Sequence, residues 1–241
     1  MEKKKQCLII TATITPQSNF VAQHNPKERK VEYLEVLNYY TANFSGDIYF
    51  AENSAFDFEM DEEFKKIFTQ ETVHLLKFPS SDEYEKGKGY QEFEVLDLVV
   101  AQLANKYEEF IKLSGRYLTT NFKKLITQKN SGIVIDRHQK KKVAITSFFK
   151  CKMNFYQKEI KGCFKNVNDA EGIFIEHVIY DELKNVSNEK IDFFIKTPIY
   201  KGVSGSYGGS LNRHPLKIKL INIERMLLRK KGEKELKKEF K

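Results

Sequence analysis

The chain has 241 residues, of which 41% are hydrophobic and 31% charged, with a formal net charge of +8. This length fits one large globular domain, and the composition excludes an intrinsically disordered protein. No apolar run approaches the roughly 20 residues of a membrane-spanning helix, and no secretory leader is expected. The three cysteines (Cys7, Cys151 and Cys163) are too few and too widely spaced for a disulfide framework or a zinc motif, which favours the cytoplasm.

The positive charge is concentrated near the carboxyl terminus. Residues 217–241 contain ten Lys and Arg residues against four Glu residues, which leaves two of the eight net positive charges to the rest of the chain. The sequence therefore predicts a near-neutral domain over residues 1–215 and a basic tail with an amphipathic helix over residues 216–241. This helix would either lie on an anionic membrane surface or pack on the domain.

The first half of the chain alternates between strand and helix patterns. The predicted strands and helices are, in chain order, residues 7–14 (strand), 28–40 (helix), 47–51 (strand), 57–68 (helix), 73–78 (strand), 91–107 (helix) and 110–113 (strand). This β-α-β-α-β-α-β order predicts the α/β class, with a mainly parallel, mixed sheet that has helices on both faces.

The second half is less regular. Residues 132–136, 143–149 and 192–196 are predicted strands, and residues 172–183 are a predicted amphipathic helix. A glycine cluster over residues 202–209 is flexible enough to form a lid or a hinge.

Polar side chains cluster where the predicted strands end, which is where ligands bind in open α/β sheets. The residues at these exits are Thr11, Thr13, Glu52, Asn53, Ser54, Lys112, Gly115 and Arg116. The sequence therefore predicts a ligand-binding crevice at this edge of the sheet.

A Lys-Gly-Lys-Gly-Tyr segment at residues 86–90 precedes the third predicted helix. Glycines allow a backbone to approach an anion closely, and the start of a helix presents free N–H groups. With Lys112 and Arg116 nearby, this arrangement suits a phosphorylated ligand such as a nucleotide sugar. The segment matches neither the P-loop nor the dinucleotide-binding pattern, and an ordinary loop is the alternative interpretation.

Several short segments, in order along the chain, resemble those of bacterial glycosyltransferases of cell-surface polysaccharide synthesis with a GT-A-like nucleotide-sugar fold. The resembling pieces are residues 9–13, Arg29 with Tyr33, and residues 52–54, 88–92, 112–117, 175–177 and 202–205. The resemblance implies transfer of a sugar from a nucleotide-sugar donor to a growing glycan or a lipid-linked acceptor, with an inverting outcome as one possibility.

The resemblance also implies site residues. The implied general base is Glu176, with His177 beside it and Glu52 as the second choice. The implied donor-binding residues are Thr11, Thr13, Asn53, Ser54, Lys88, Gly89, Tyr90, Lys112, Gly115, Arg116, Ser204 and Gly205.

The chain departs from GT-A enzymes in one respect, because it has no Asp-x-Asp metal motif. Ser114-Gly115-Arg116 stands where that motif is expected. Lys88, Lys112 and Arg116 would then neutralise the donor diphosphate, which predicts transfer without a metal cofactor. Asp136 or His138 is the alternative if a divalent cation is needed.

Two other functions remain open. A nucleotidyltransferase would use a similar sheet, but it normally requires carboxylate-bound Mg²⁺. A non-catalytic nucleic-acid-binding module would spread its lysines and aromatic residues over one surface, so nucleic acid is not the expected partner. For the glycosyltransferase, we expect a cytoplasmic protein, with peripheral attachment to the inner face of the plasma membrane as one possibility.

Overall fold

A seven-stranded mixed sheet runs through the centre of the protein in the computed structural model. The structure describes residues 4–17, 23–202, 209, 215–223 and 225–227. Ser204 and Gly205, with most of the glycine cluster, lie outside these described residues.

The first four long strands alternate with three helices, as predicted. The strands are β1 (Lys4–Ala12), β2 (Ile48–Glu52), β3 (Val73–Lys77), β4 (Tyr107–Ser114), β5 (Leu118–Thr119), β6 (Ile133–Val134), β7 (Arg137–His138), β8 (Val143–Ala144), β9 (Phe148–Lys152), β10 (Ile191–Asp192) and β11 (Tyr200–Lys201). The helices are α1 (Pro26–Asn43), α2 (Glu62–Phe68), α3 (Lys88–Leu103), α4 (Phe122–Ile126), α5 (Met153–Glu159) and α6 (Ile175–Glu182).

The strand order in the main sheet is β10-β6-β9-β4-β1-β2-β3. Strands β1 to β4 are parallel to one another, whereas β9 is antiparallel to both of its neighbours, β4 and β6. Because β9 reverses direction between them, β6 and its parallel neighbour β10 point the same way as β4. Six of the seven strands therefore end at one edge, which we call the carboxyl edge.

Helices cover both faces of the sheet, and each face has its own apolar cluster. Alternate residues of β1 separate the clusters: Leu8 and Ile10 pack with α1, α2 and α4, while Cys7 and Ile9 pack with α3, α5 and α6. This is the period of two that a strand buried on both faces imposes. The predicted α/β class and mixed parallel sheet are confirmed.

Local signals explain where two of the helices begin. The Asn25 side chain accepts a hydrogen bond from the Lys27 N–H at 3.0 Å, and Pro26 occupies the first position of α1. Similarly, the Asp61 side chain accepts hydrogen bonds from the Glu63 and Phe64 N–H groups at the start of α2.

The second half differs from the prediction in its details. The predicted strand over residues 143–149 is two strands, because the chain turns between β8 and β9, and β9 continues to Lys152. The strands predicted over residues 132–136 and 192–196 shorten to β6 and β10. Ile135 still donates to the Asp192 carbonyl at 2.9 Å, whereas the Asp136 carbonyl accepts from the Ile145 N–H at 2.7 Å, outside the main sheet.

The predicted carboxyl-terminal helix is present over the described residues 215–223 and 225–227. Its polar residues contact the domain. Arg225 donates to both carboxylate oxygens of Asp136, at 2.8 and 2.6 Å, and to the Phe194 carbonyl at 2.6 Å. Asn222 accepts a hydrogen bond from the Thr197 N–H at 2.8 Å. None of the helices within the described residues has the length and hydrophobicity needed to cross a bilayer.

Gly115 provides a test of how closely β4 approaches β1. Its N–H donates to the Thr11 carbonyl at 2.9 Å, and an added Cβ would lie 2.6 Å from that oxygen and 2.7 Å from a ring carbon of Tyr33. We expect Gly115→Ala to lower the free energy of unfolding by about 1–3 kcal/mol, because the backbone must shift. Chemical denaturation would measure this loss. Gly209→Ala is the control, since its Cβ would meet no atom of the described residues within 4 Å, and equal stability of the two variants would contradict the prediction.

Candidate functional site

The strand order reverses between β1 and β4, and we call the region beyond these two strand ends at the carboxyl edge the crevice. From β1, the chain adds β2 and β3 on one side and then crosses to the other side to form β4. Such a reversal of strand order opens a crevice beyond the strand ends, and ligands of α/β proteins bind there. Thr11 and Ser114 pair directly across this point.

An ion pair between buried Lys112 and partly exposed Glu92 lies at the floor of the crevice. The Lys112 side chain is fully buried, and its ammonium group donates to Glu92 Oε1 at 2.7 Å, to Ser114 Oγ at 2.9 Å and to the Thr146 carbonyl at 2.8 Å. These three bonds use all the donors that an ammonium group has. Glu92 Oε1 also accepts from Thr11 Oγ1 at 2.6 Å and from Ser114 Oγ at 2.9 Å.

Burial and charge act in opposite directions on this pair. Burial lowers the pKa of Lys112, and the negative charge of Glu92 only partly offsets that effect. Burial raises the pKa of Glu92, but the charge of Lys112 and the hydrogen bonds from Lys112, Thr11 and Ser114 outweigh it and lower the pKa below its ordinary value. The ionised carboxylate is therefore the favoured form of Glu92.

A second carboxylate occupies the start of α3. The Asp169 carboxylate accepts a hydrogen bond from the Lys88 N–H, and a Cβ on Gly87 would lie only 2.0 Å from Asp169 Oδ2. Gly87 has a φ of +102°, a conformation that favours glycine. The N-terminus of α3, predicted to face a phosphate, is thus capped by a side chain of the protein itself. The predicted start at Gln91 is also wrong, since α3 begins at Lys88.

Asp169 is only 9% exposed, and its Oδ1 has no hydrogen-bond partner among the described residues. Burial raises the pKa of this carboxyl to about 6, against the opposing charge of Lys88. The negative charge of Glu176 acts in the same direction as burial. Asp169, Lys88 and Glu176 therefore form one electrostatic group beside the crevice.

The start of α6 brings Glu176 to this group. An added Cβ on Gly89 would lie 2.7 Å from Cγ2 of Ile175, so the first turns of α3 and α6 are in close contact. The charge of Glu176 also acts on Lys112, which places it near the crevice floor. His177 is half-buried, with its ring 5.7 Å from that of Phe174.

Tyr90 packs away from the polar group. Its ring makes an edge contact with Phe164 at 4.9 Å and lies under the ammonium group of Lys86 at 5.1 Å. The residue is buried, and its surroundings are those of a core side chain.

Glu52, Asn53 and Ser54 hold the loop that follows β1. Glu52 is fully buried, and its carboxylate accepts hydrogen bonds from the N–H groups of Ile14 and Ser54 and from the Ser54 hydroxyl. Burial raises the pKa of Glu52, although these bonds oppose the shift. Asn53 Oδ1 accepts from Thr13 Oγ1 at 2.6 Å. The contacts of Glu52 are those of a residue that positions the β1 loop.

Arg29 and Tyr33 of α1 stabilise the same loop from the other side. Arg29 Nε donates to the Thr13 carbonyl at 2.8 Å, and the Tyr33 hydroxyl accepts from the Thr13 N–H at 2.9 Å. Thr13 itself is half-buried at the crevice rim.

Arg116 is also paired within the protein. Its Nη1 donates to Glu32 Oε2 at 2.8 Å, and its side chain is only 9% exposed. Of the three cations predicted at the site, Lys112 and Arg116 thus have carboxylate partners, and half-buried Lys88 interacts electrostatically with Asp169. The positive field at the crevice is weaker than the sequence alone indicates.

The described residues contain no group of three or more His, Cys, Asp and Glu side chains arranged to hold a metal ion. The sequence-based alternatives have other partners: Asp136 binds Arg225, and His138 Nδ1 accepts a hydrogen bond from the Lys141 N–H at 3.3 Å.

The sequence interpretation assigned no role to Glu92, Asp169 or Thr146. One signal for Glu92 was available. A lysine inside an apolar strand, such as Lys112, needs a buried anionic partner, and Glu92 lies on the helix that packs over that strand. No comparable signal identifies Asp169, which lies in a short 3-10 turn at Asp169–Glu171.

Sequence comparison finds no protein family and no curated protein that matches this chain. Among solved structures, one similar chain is assigned as a nucleotide-diphospho-sugar transferase from Desulfovibrio desulfuricans. Its TM-score is 0.49 and its identity 8%, over 78% of this chain and 79% of that chain. Another is a 4-diphosphocytidyl-2C-methyl-D-erythritol synthase from Anaerococcus prevotii, with a TM-score of 0.43 and 14% identity over 92% and 96% of the two chains. Likenesses this weak do not assign an activity to the chain.

Proposed function

We propose that this chain is a glycosyltransferase that moves a sugar from a nucleotide-sugar donor to a surface polysaccharide or lipid-linked acceptor. The observation that carries the proposal is the polar cluster at the β1–β4 crevice. Thr11, Ser114, Glu92 and Lys112 form its floor, and Lys88, Asp169 and Glu176 lie beside it. The cluster lies at the reversal of strand order, where an α/β sheet binds nucleotides.

In this proposal, Lys88 is the cation that meets the donor diphosphate. It is half-buried at the first residue of α3, beside the crevice floor. A charge placed there stabilises the negative charge that develops on the leaving nucleoside diphosphate. Lys112 acts indirectly, because it fixes Glu92 and the strand ends. We propose that transfer needs no divalent metal.

Glu176 is the proposed general base. An acceptor hydroxyl would lose its proton to the Glu176 carboxylate as its oxygen bonds to the anomeric carbon of the donor. The bond from that carbon to the phosphate oxygen breaks, and its electron pair leaves with the nucleoside diphosphate. Glu176 is half-buried in the first turn of α6, which leaves its carboxylate within reach of solvent and of an acceptor. An enzyme of this kind would act in the cytoplasm, at the inner face of the membrane.

A nucleotidyltransferase is the second candidate. One structural observation favours it, whereas the sequence showed no paired carboxylates for a metal ion. Asp169 and Glu176 influence each other electrostatically beside the crevice, so two carboxylates lie near the place where a nucleoside triphosphate would bind. Release of pyrophosphate from a triphosphate and a sugar phosphate would identify this activity.

Donor binding is the first test. We expect one nucleotide sugar to raise the melting temperature of the protein, because a ligand of the folded state stabilises it by mass action. The shift should persist in EDTA and should shrink strongly in Lys88→Ala. Lys66→Ala, which removes an exposed lysine from α2, is the control. If no nucleotide sugar changes the melting temperature, the proposed function is wrong, and a shift that disappears in EDTA contradicts metal independence.

Replacement of Glu176 separates binding from chemistry. We expect Glu176→Gln to lower kcat by about 10²–10⁴-fold with donor affinity nearly unchanged, since a general base contributes that much to turnover. Single-turnover transfer and a thermal-shift titration would measure the two effects. Glu171→Gln, at an exposed position before α6, is the matched control. Full activity of Glu176→Gln would exclude this residue as the base.

Asp169 predicts a pH dependence of stability. Its pKa is 3.8 ordinarily and about 6 in the fold, so between these values the folded state binds more protons than the unfolded state. Stability therefore falls as pH rises through that window, by up to about 3 kcal/mol. Asp169→Asn should not lose stability in this way, because the asparagine side chain does not titrate. We expect its melting temperature to rise relative to wild type between about pH 4 and about pH 7, and a pH-independent difference would contradict the assignment.

A further inference from the structure

The carboxyl-terminal helix is docked on the domain by a side that carries both polar and apolar residues. Arg225 binds Asp136 and the Phe194 carbonyl, and Asn222 binds the Thr197 N–H. Ile218 and Ile221, on the same side of the helix, are half-buried. A usual surface helix packs its apolar side inward and presents a polar side to solvent.

The opposite side of this helix is an exposed apolar stripe. Leu216, Leu220, Ile223 and Leu227 are 65%, 67%, 43% and 58% exposed. At 3.6 residues per turn, their spacings of four, three and four residues place them within about 60° around the helix axis. We call these four residues the apolar face.

Lysines border the apolar face on both sides. Lys217 and Lys219 are exposed and project to either side of it. Long lysine side chains at such positions reach the headgroups of a bilayer while the apolar residues enter it. The rest of the tail adds further positive charge, since residues 217–241 hold ten Lys and Arg residues against four Glu.

The loop that follows β10 also exposes apolar side chains beside lysines. Phe194 points into the core, whereas Phe193 and Ile195 on either side of it are 36% and 42% exposed. These two residues line an open hollow of about 650 Å³ together with Lys124, Lys129 and Lys196. Exposed apolar side chains and lysines therefore also occur on the domain next to the residues that hold the helix.

We propose that the apolar face and its bordering lysines bind an anionic lipid bilayer, with the helix lying in the plane of the interface. The charge favours this partner over a second copy of the chain, because two such faces in contact would bring like-charged lysines together. It also favours lipid over nucleic acid, which would have no contact for four adjacent aliphatic side chains.

The residues that hold the helix show which edge of the sheet would face the bilayer. Asp136 and Phe194 follow β6 and β10, whose ends lie at the carboxyl edge of the sheet. The bilayer-binding helix and the β1–β4 crevice therefore share one edge. Such a placement brings the crevice toward the membrane and fits a lipid-linked acceptor, a consequence that rests on the proposed function.

Vesicle flotation of the full chain, without any nucleotide sugar, tests the bilayer contact separately from the activity. We expect the protein to float with phosphatidylglycerol-containing vesicles and not with pure phosphatidylcholine, and we expect salt to weaken the binding. Leu220→Glu/Ile223→Glu should reduce the bound fraction by about tenfold or more, since it places charge in the interface.

Val31→Glu/Leu98→Glu is the matched control, because it adds two glutamates at exposed apolar positions of α1 and α3. Its binding should equal that of wild type. Absence of flotation, or equal binding by Leu220→Glu/Ile223→Glu, would overturn the proposal. The proposal would also be overturned if light scattering showed a concentration-dependent dimer that Leu220→Glu/Ile223→Glu abolishes, because a second copy of the chain would then cover the apolar face.

Discussion

The ion pair between Lys112 and Glu92 joins the elements on which the crevice depends. Lys112 belongs to a central strand, and Glu92 belongs to the helix above it. Because the ammonium group is fully buried, it must keep all three of its hydrogen-bond partners, and Glu92 must stay ionised. These requirements fix the start of α3 over the ends of β1 and β4, and they thereby place Lys88 at the same edge, where its N–H donates to Asp169.

Charge matching at this edge limits what the site can recognise. Lys112 and Arg116 are neutralised by Glu92 and Glu32, and the helix terminus that could have held a phosphate holds Asp169. In the proposed site, a ligand with several negative charges would therefore meet a nearly balanced surface, and the proposal makes Lys88 its cationic contact. Selectivity in such a site comes from shape and hydrogen bonding more than from net attraction.

The alternation of strands and helices was predictable because the period of hydrophobic residues records which face of each element is buried. The same pattern placed Lys112 and Thr11 correctly at strand ends. It could not identify Asp169 as the cap of α3, because that contact joins residues about 80 positions apart and leaves no local signal. The sequence pattern also could not show that Glu32 and Glu92 neutralise the site's cations, because each has the pattern of an ordinary surface glutamate on a helix.

The attachment of the carboxyl-terminal helix has a consequence for local stability. Arg225 and Asn222 bind the helix to the domain by hydrogen bonds and an ion pair, while the fully packed residues of both apolar clusters all precede position 195. Its release would expose little of the core. The helix is therefore a separate opening unit, and its backbone amides should exchange with solvent at a much lower free energy than those of β1 or β4.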